Sequence, residues 1–265
     1  MTGLAYPSVS PVMISLGFFN IRWYSMAYLL GIIAAWFLIV KNIKKYKLPL
    51  QKGQIDDLIF NTTLGIILGG RLIYVLFYNT AMLWQDPLEI FAVWHGGMSF
   101  HGGLIGAIAG IYYSARTMKY PFLGFSDLIA LYTPIGLFLG RLANFINDEL
   151  FGRVTDVPWA VRFPNGGYLP RHPSQIYEAL LEGVLLFVVL NILWRYKYIR
   201  ERHGFISGMF LSVYALSRII IENYREPDSQ LGFILGSITM GQILSLPFLV
   251  IGGLLIFYAV RKKSA

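Results

Sequence analysis

Apolar positions along this chain gather into seven long runs separated by short polar stretches. About 20 apolar residues carry a helix across a bilayer. The runs at roughly 21–40, 58–78, 101–115, 125–145, 175–194, 205–222 and 241–260 are read as seven such helices. The third is short and holds Gly102, Gly103, Gly106 and Gly110. It is expected to be tilted, broken or preceded by a re-entrant piece, which is tolerated only where protein or water covers it. Residues 1–20, with Pro7 and Pro11, read as an arm at the outer surface. The stretch 146–175, with Pro158, Asn165-Gly166-Gly167, Pro170 and Pro173, reads as a small outer head inserted in a single transmembrane domain. Within it Trp159 to Phe163 alternate enough for a short strand, and Asn165-Gly166 suits a tight turn.

Composition agrees with an all-α integral membrane protein. Of 265 residues 56% are hydrophobic and 14% charged, with a mean hydropathy of +0.58. Soluble domains run near a quarter charged. With no cysteine the chain has no disulfide and no thiolate nucleophile of its own. His95, His101, His172 and His203 are scattered, so no metal site is expected. The first basic residue is Arg22, so no cleavable signal peptide is expected from this stretch.

The net charge of +8 could suggest nucleic acid, but its distribution argues otherwise. Lys41, Lys44, Lys45, Lys47 and Lys52 fill the first loop; Arg116 and Lys119 the third; Arg195, Lys197, Arg200 and Arg202 the fifth. Arg261, Lys262 and Lys263 fill the tail, while residues 79–100 hold no Lys or Arg. Alternate basic loops place those loops in the cytoplasm, the N-terminus outside and the C-terminus inside. The remaining basic residues are all arginine: Arg22, Arg71, Arg141, Arg153, Arg162, Arg171, Arg218 and Arg225. Arginine is the planar fork that grips phosphate or carboxylate. The set suggests an anionic ligand at the outer leaflet, or pairing with local acids.

Charges inside hydrocarbon need a partner or a purpose. Arg71, Tyr74 and Tyr78 share one helical face, and Gly65 with Gly69 is a small-residue pair suited to close helix packing. Tyr214, Arg218, Glu222 and Arg225 form a second stripe. The bland reading is an Arg218–Glu222 pair; the other is a surplus positive charge for a ligand. Gln175, Glu178 and Glu182 line a third face and are natural partners for the arginines. Polar groups crowd the end of the fourth run, where Gly140, Arg141, Asn144, Asn147, Asp148 and Glu149 give the strongest site signal in the chain. His101, among Gly96, Gly97, Gly102 and Gly103, reads equally as a catalytic or as a hydrogen-bonded structural group.

These segments resemble the bacterial prolipoprotein diacylglyceryl transferase family. The resemblance rests on Gly140-Arg141-x-x-Asn144-Phe145-x-Asn147-x-Glu149-x-x-Gly152, on Gly96 to Gly103, on Leu169-Pro170-Arg171-His172-Pro173-Ser174-Gln175-x-Tyr177-Glu178, and on Tyr214-x-x-x-Arg218 with Glu222, Arg225 and Pro227-Asp228. It extends from Trp23-Tyr24 to the last helix. Departures are Ala143 and Asp148, where the family often has glycine, and Phe151, where tryptophan is common.

The resemblance implies seven helices with an outer head in the bacterial inner membrane, the active site facing the periplasm. The implied reaction moves the diacylglyceryl group of phosphatidylglycerol to the lipobox cysteine of a prolipoprotein signal peptide. A thioether forms and glycerol phosphate leaves, and neither cofactor nor metal is implied. His101 is then the expected base, and Arg141 and Arg218 stabilise the leaving phosphate. Asn144, Glu149, Tyr214, Glu222 and Arg225 orient the head group or the arginines, and Tyr24 and Arg71 line the lipid access. The rival readings are an anionic-lipid transporter, for which no inverted repeat is visible, and another phospholipid head-group enzyme, for which no metal cluster or nucleophile motif is visible.

Overall fold

The computed structural model describes residues 3–17, 20–93, 96–227, 232–234 and 236–261. Trp94, His95, Asp228, Lys262 and Lys263, which figure in the sequence reading, lie outside the described residues. Each apolar run carries a helix: α1 (Trp23–Lys45), α2 (Lys52–Phe77), α3 (Phe100–Thr117), α4 (Phe122–Ile146), α5 (Ser174–Trp194), α6 (Phe205–Ile221) and α7 (Met240–Arg261). Of these, α1, α2, α4, α5 and α7 are long and apolar enough to cross a membrane. The 17-residue α6 is apolar but shorter, and the glycine-rich α3 is not among the five. Large apolar side chains stand exposed along the helices, Leu68 and Leu254 among them. In water such surface is costly; in lipid it is the solvated face.

The chain divides into two compact units. Residues 36–126 form the smaller, and residues 1–35 with 127–265 form the larger. In the smaller unit α2 and α3 pack backbone against backbone. A Cβ on Gly65 would fall on the Gly106 carbonyl, and one on Gly106 on the Gly65 carbonyl. Gly69 meets Gly102 in the same way, and Gly110 meets Asn61. Of the alternatives expected for this run, a break is ruled out. The glycines do not break α3, which runs as one 18-residue helix, because each removes a side chain where α2 must approach. Ser99 starts it, its Oγ accepting from the Gly102 N–H at 3.3 Å while its own N–H donates to the Gly70 carbonyl at 2.9 Å.

In the larger unit α5 is α-helical over Ser174–Glu178, π-helical over Ala179–Leu185 and α-helical again over Leu186–Trp194. Gly183 of the π stretch lets α5 close on Phe138 of α4. Asp127 of α4 caps α6: its carboxylate accepts from the Gly204 N–H, the Ser207 N–H and the Ser207 hydroxyl, each at 2.7 Å. Leu128, Leu131, Leu186, Leu190, Ile206 and Ile221 are fully buried between these helices.

The arm and the head fold together. Strand β1 (Leu4–Ala5) pairs in parallel with β4 (Val161–Arg162), while β2 (Val12–Ser15) and β3 (Asn20–Arg22) form the antiparallel ribbon that leads into α1. A second short ribbon, β5 (Phe233–Ile234) with β6 (Ile238–Thr239), leads into α7. The strand expected over Trp159 to Phe163 shrinks to two residues because β1 offers only two partners. The turn at Asn165-Gly166 is a 3₁₀ turn, Pro164–Gly166, followed by Gly167 at a φ of 85°. Tyr6 ties the arm down. Its hydroxyl lies 2.7 and 2.8 Å from the last carbonyls of α4, Phe145 and Ile146.

Candidate functional site

The side-chain stripes on α4, α5 and α6 converge in a buried charge network. Glu178 is its hub: Oε2 lies 2.7 Å from Nε of Arg141, and Oε1 lies 3.4 Å from Arg218 and 3.1 Å from Arg225. Glu182 takes the Nη2 of Arg141 at 3.0 Å, and Glu222 takes the Nη2 of Arg218 at 2.5 Å. Glu178 and Glu182 are fully buried, whereas the Arg141 and Arg218 side chains keep 17% and 15% exposure. Three guanidinium groups therefore face three carboxylates. The surplus positive charge expected on α6 is neutralised once α5 is in place. Net charge is not what remains for an anion; uncommitted N–H groups are. Nη1 of Arg141 and Nε of Arg218 have no partner among the described residues. Tyr214 lies within electrostatic reach of both arginines and both α5 glutamates.

Local structure holds these groups in place. The π stretch carries Glu182 one turn beyond Glu178, a device common at functional sites. Gly241, in the first turn of α7, has no Cβ where one would crowd the Glu222 carboxylate. Arg153 donates to the carbonyls of Glu222 and Arg225, each at 2.9 Å, and so fixes the end of α6.

A cavity of about 390 Å³ lies where α4 ends, lined by Arg22, Tyr24, Ser25, Asn144, Asn147, Glu149 and Leu150. The Asn144 and Asn147 amides donate to one oxygen of Glu149 at 2.8 and 3.1 Å. Gln175 donates to the Glu149 carbonyl at 2.7 Å. The chain turns sharply here, with Asp148 at a φ of 54° and Leu150 at 59°. That explains the departure at Asp148: the position demands a left-handed residue, which glycine supplies freely and aspartate tolerates. Its carboxylate points to the Asn165 N–H at 2.6 Å rather than competing with Glu149. Burial pushes the Asp148 carboxyl above its usual range, against the pull of that hydrogen bond.

In the smaller unit His101 stands exposed in the first turn of α3, with Phe100 edge-on and no hydrogen bond among the described residues. The sequence left a base and a structural group equally open here; no hydrogen bond supports the structural one. Arg71 is different. It is 4% exposed and donates to the carbonyls of Glu89, Ile90 and Gly96 at 2.6, 3.1 and 2.5 Å. The Glu89 carboxylate is 3.7 Å away. This guanidinium organises the segment before α3. Gly96 and Gly97, at φ of 83° and 69°, turn their carbonyls to it.

The structure thus gathers Arg141, Arg218, Glu222 and Arg225 in one network beside Tyr214, and Tyr24, Asn144 and Glu149 around one cavity. His101 and Arg71 belong to the smaller unit. The sequence reading made Glu178 and Glu182 natural partners for the arginines, counted Arg22 in the arginine set and Asn147 in the polar cluster at the end of the fourth run, and gave neither Arg22 nor Asn147 a role of its own. The helical spacing from Gln175 to Glu182 was signal enough for the first two. In the head, His172 Nδ1 lies 3.1 Å from the Tyr177 hydroxyl, and burial pushes its imidazole below its ordinary value. Among the described residues no group of His, Cys, Asp or Glu is arranged to hold a metal ion.

Comparison with known proteins adds a separate line of evidence. The profile of the family described as prolipoprotein diacylglyceryl transferase matches residues 11–258. A phosphatidylglycerol–prolipoprotein diacylglyceryl transferase from Rhodospirillum rubrum is 50% identical over 263 residues, 98% of this chain and 96% of the relative. One from Mannheimia succiniciproducens is 50% identical over 99% of this chain and 97% of its own. One from Methylocella silvestris is 47% identical over 98% and 97%.

Proposed function

Because the chain belongs to the prolipoprotein diacylglyceryl transferase family, we propose that it moves the diacylglyceryl group of phosphatidylglycerol onto the lipobox cysteine of a prolipoprotein signal peptide. The observation that carries this reading is the Arg141–Arg218 pair. Both guanidinium groups are locked by buried glutamates, both keep some exposure, and both retain N–H groups with no partner among the described residues. Preorganised donors of this kind stabilise charge that develops in a transition state.

The chemistry follows in one displacement. A cysteine thiol of pKa about 8.5 reacts as the thiolate. His101, exposed and with no hydrogen-bond partner among the described residues, accepts the thiol proton. The sulfur attacks the glycerol carbon that bears the phosphate ester. The carbon–sulfur bond forms as the carbon–oxygen bond breaks, and the electron pair leaves on the phosphate oxygen. Arg141 and Arg218 receive that growing charge. Tyr214, Glu222 and Arg225 hold the arginines in register, and Tyr24, Asn144 and Glu149 line the cavity for the head group. The nucleophile belongs to the substrate, in keeping with a chain that has no cysteine.

The loop charges support seven spans in the bacterial inner membrane, with the N-terminus and head in the periplasm and the C-terminus in the cytoplasm. The absence of cysteine makes single-cysteine labelling from either side a clean check.

The deciding experiment mixes detergent-solubilised protein with head-group-labelled phosphatidylglycerol and a lipobox peptide. Release of labelled glycerol phosphate that requires both the peptide cysteine and Arg141 is the expected result. Release that continues with a Cys→Ser peptide would mark a hydrolase instead.

A further inference from the structure

The cavity at the end of α4 has acceptors to spare. One Glu149 oxygen takes both asparagine amides, and the other has no partner among the described residues. The Oδ1 of Asn147 is buried and also unpartnered. A buried acceptor left bare is unfavourable, so Asn147 calls for a donor, and the exposed Glu149 oxygen beside it can take a second hydrogen bond from the same ligand. The cavity wall also carries one charge of each sign. Arg22, at the end of β3, forms no side-chain hydrogen bond or ion pair among the described residues, and Glu149 forms no ion pair. A complementary ligand is anionic at one end and bears hydroxyls at the other. A glycerol phosphate head group has that form: one phosphate and two free hydroxyl donors.

We propose that Arg22 anchors the phosphate and that Asn147, with the free oxygen of Glu149, reads the glycerol hydroxyls, so that this cavity selects the donor lipid by its head group. The inference rests on the transferase reading. It adds Arg22 and Asn147 to the residues that handle the lipid. Tyr24 connects the cavity with the arginine network, since it lines the one and lies within electrostatic reach of Arg141 as well as Glu149. A phosphodiester has two unesterified oxygens, so one phosphate can serve Arg22 while the Arg141–Arg218 pair takes the oxygen that leaves.

The test compares phosphatidylglycerol with phosphatidylpropanol of the same acyl chains, which keeps the phosphate and lacks both hydroxyls. Transfer to a lipobox peptide is measured with the purified full chain. A site built to hydrogen-bond hydroxyls rejects an analogue without them strongly, so the wild-type kcat/KM ratio should favour phosphatidylglycerol by about tenfold or more. Asn147→Ala should narrow that ratio several-fold. If this variant loses all transfer, Asn147→Leu, which keeps the side-chain volume without an acceptor oxygen, is read by the same ratio. Arg22→Gln should raise KM for both lipids by roughly tenfold and leave their ratio in place, with Arg22→Lys recovering part of the loss. A wild-type ratio near one, an unchanged ratio in both Asn147 variants, or an unchanged KM in Arg22→Gln would overturn the proposal while leaving the transferase reading intact. No transfer from either lipid by the wild type removes the transferase reading and this one with it.

Discussion

Arg71 in the smaller unit and Arg141 in the larger are both arginines on helices that are long and apolar enough to cross a membrane, yet they are held by opposite means. Arg71 is buried and spends its donors mainly on the backbone carbonyls of Glu89, Ile90 and Gly96, with the Glu89 carboxylate 3.7 Å away. Arg141 is held by two carboxylates on a neighbouring helix and keeps one amino group without a partner among the described residues. The same contrast runs through the two units. The smaller one is fixed by backbone proximity, glycine against glycine. The larger one is fixed by side-chain charge. A charge bound to neutral carbonyls is a structural clip, whereas one bound to carboxylates and still partly exposed has donors to offer an anion.

The comparison predicts a graded set of effects. The largest belongs to Glu178→Ala, which strips the shared partner from three arginines. Breaking one side of a buried ion pair costs about 3–5 kcal/mol, to be read as a large drop in thermal midpoint in detergent. A drop no larger than that of a surface variant would mean that the network is not what holds the larger unit. Next, Arg218→Lys and Arg71→Lys should diverge. Losing the fork proposed to meet the leaving phosphate should lower kcat on the order of 100-fold. At Arg71 the readout should instead be faster proteolysis between residues 82 and 97. Equal losses of kcat in both variants would erase the distinction between clip and site. Gly106→Leu should then destabilise by about 1–3 kcal/mol through overpacking against α2, whereas Gly253→Leu, where a Cβ meets nothing within 4 Å, should be tolerated.

The smallest effect concerns His172 in the head, whose imidazole is pushed below its ordinary value by burial. The folded state then binds fewer protons than the unfolded chain. Its contribution is present above the unfolded pKa of about 6.5 and is lost as pH falls towards the lower folded value. Replacing it by glutamine should shrink the difference in thermal midpoint between pH 7.5 and pH 5.5. An unchanged difference would place the acid sensitivity elsewhere.

Much of the architecture could be read directly from residue order. The apolar runs located every long helix, since hydrocarbon leaves a spanning backbone little choice but to bond to itself. The 3.6-residue period placed Tyr214, Arg218 and Glu222 on one face before any neighbour was known. Glycine was harder. Gly96, Gly97, Gly102 and Gly106 lie close in sequence, and only the approach of α2 separates those that turn a loop from those that admit a helix.

What the sequence determined by itself is therefore the set of helices, the family, and which helical faces carry charge. Those follow from local rules: length against bilayer thickness, spacing around one helix, and motif identity. What only the tertiary structure decided is which charge meets which. The three arginines and three glutamates of the network come from segments far apart in the chain, and their balance depends on distances set by the packing of α4, α5 and α6 with the stretch that follows α6. The same holds for the cavity, where Arg22 from the start of the chain faces Glu149 more than a hundred residues later. Coulomb energy falls with distance and rises as water is excluded, and neither quantity is written in the order of residues.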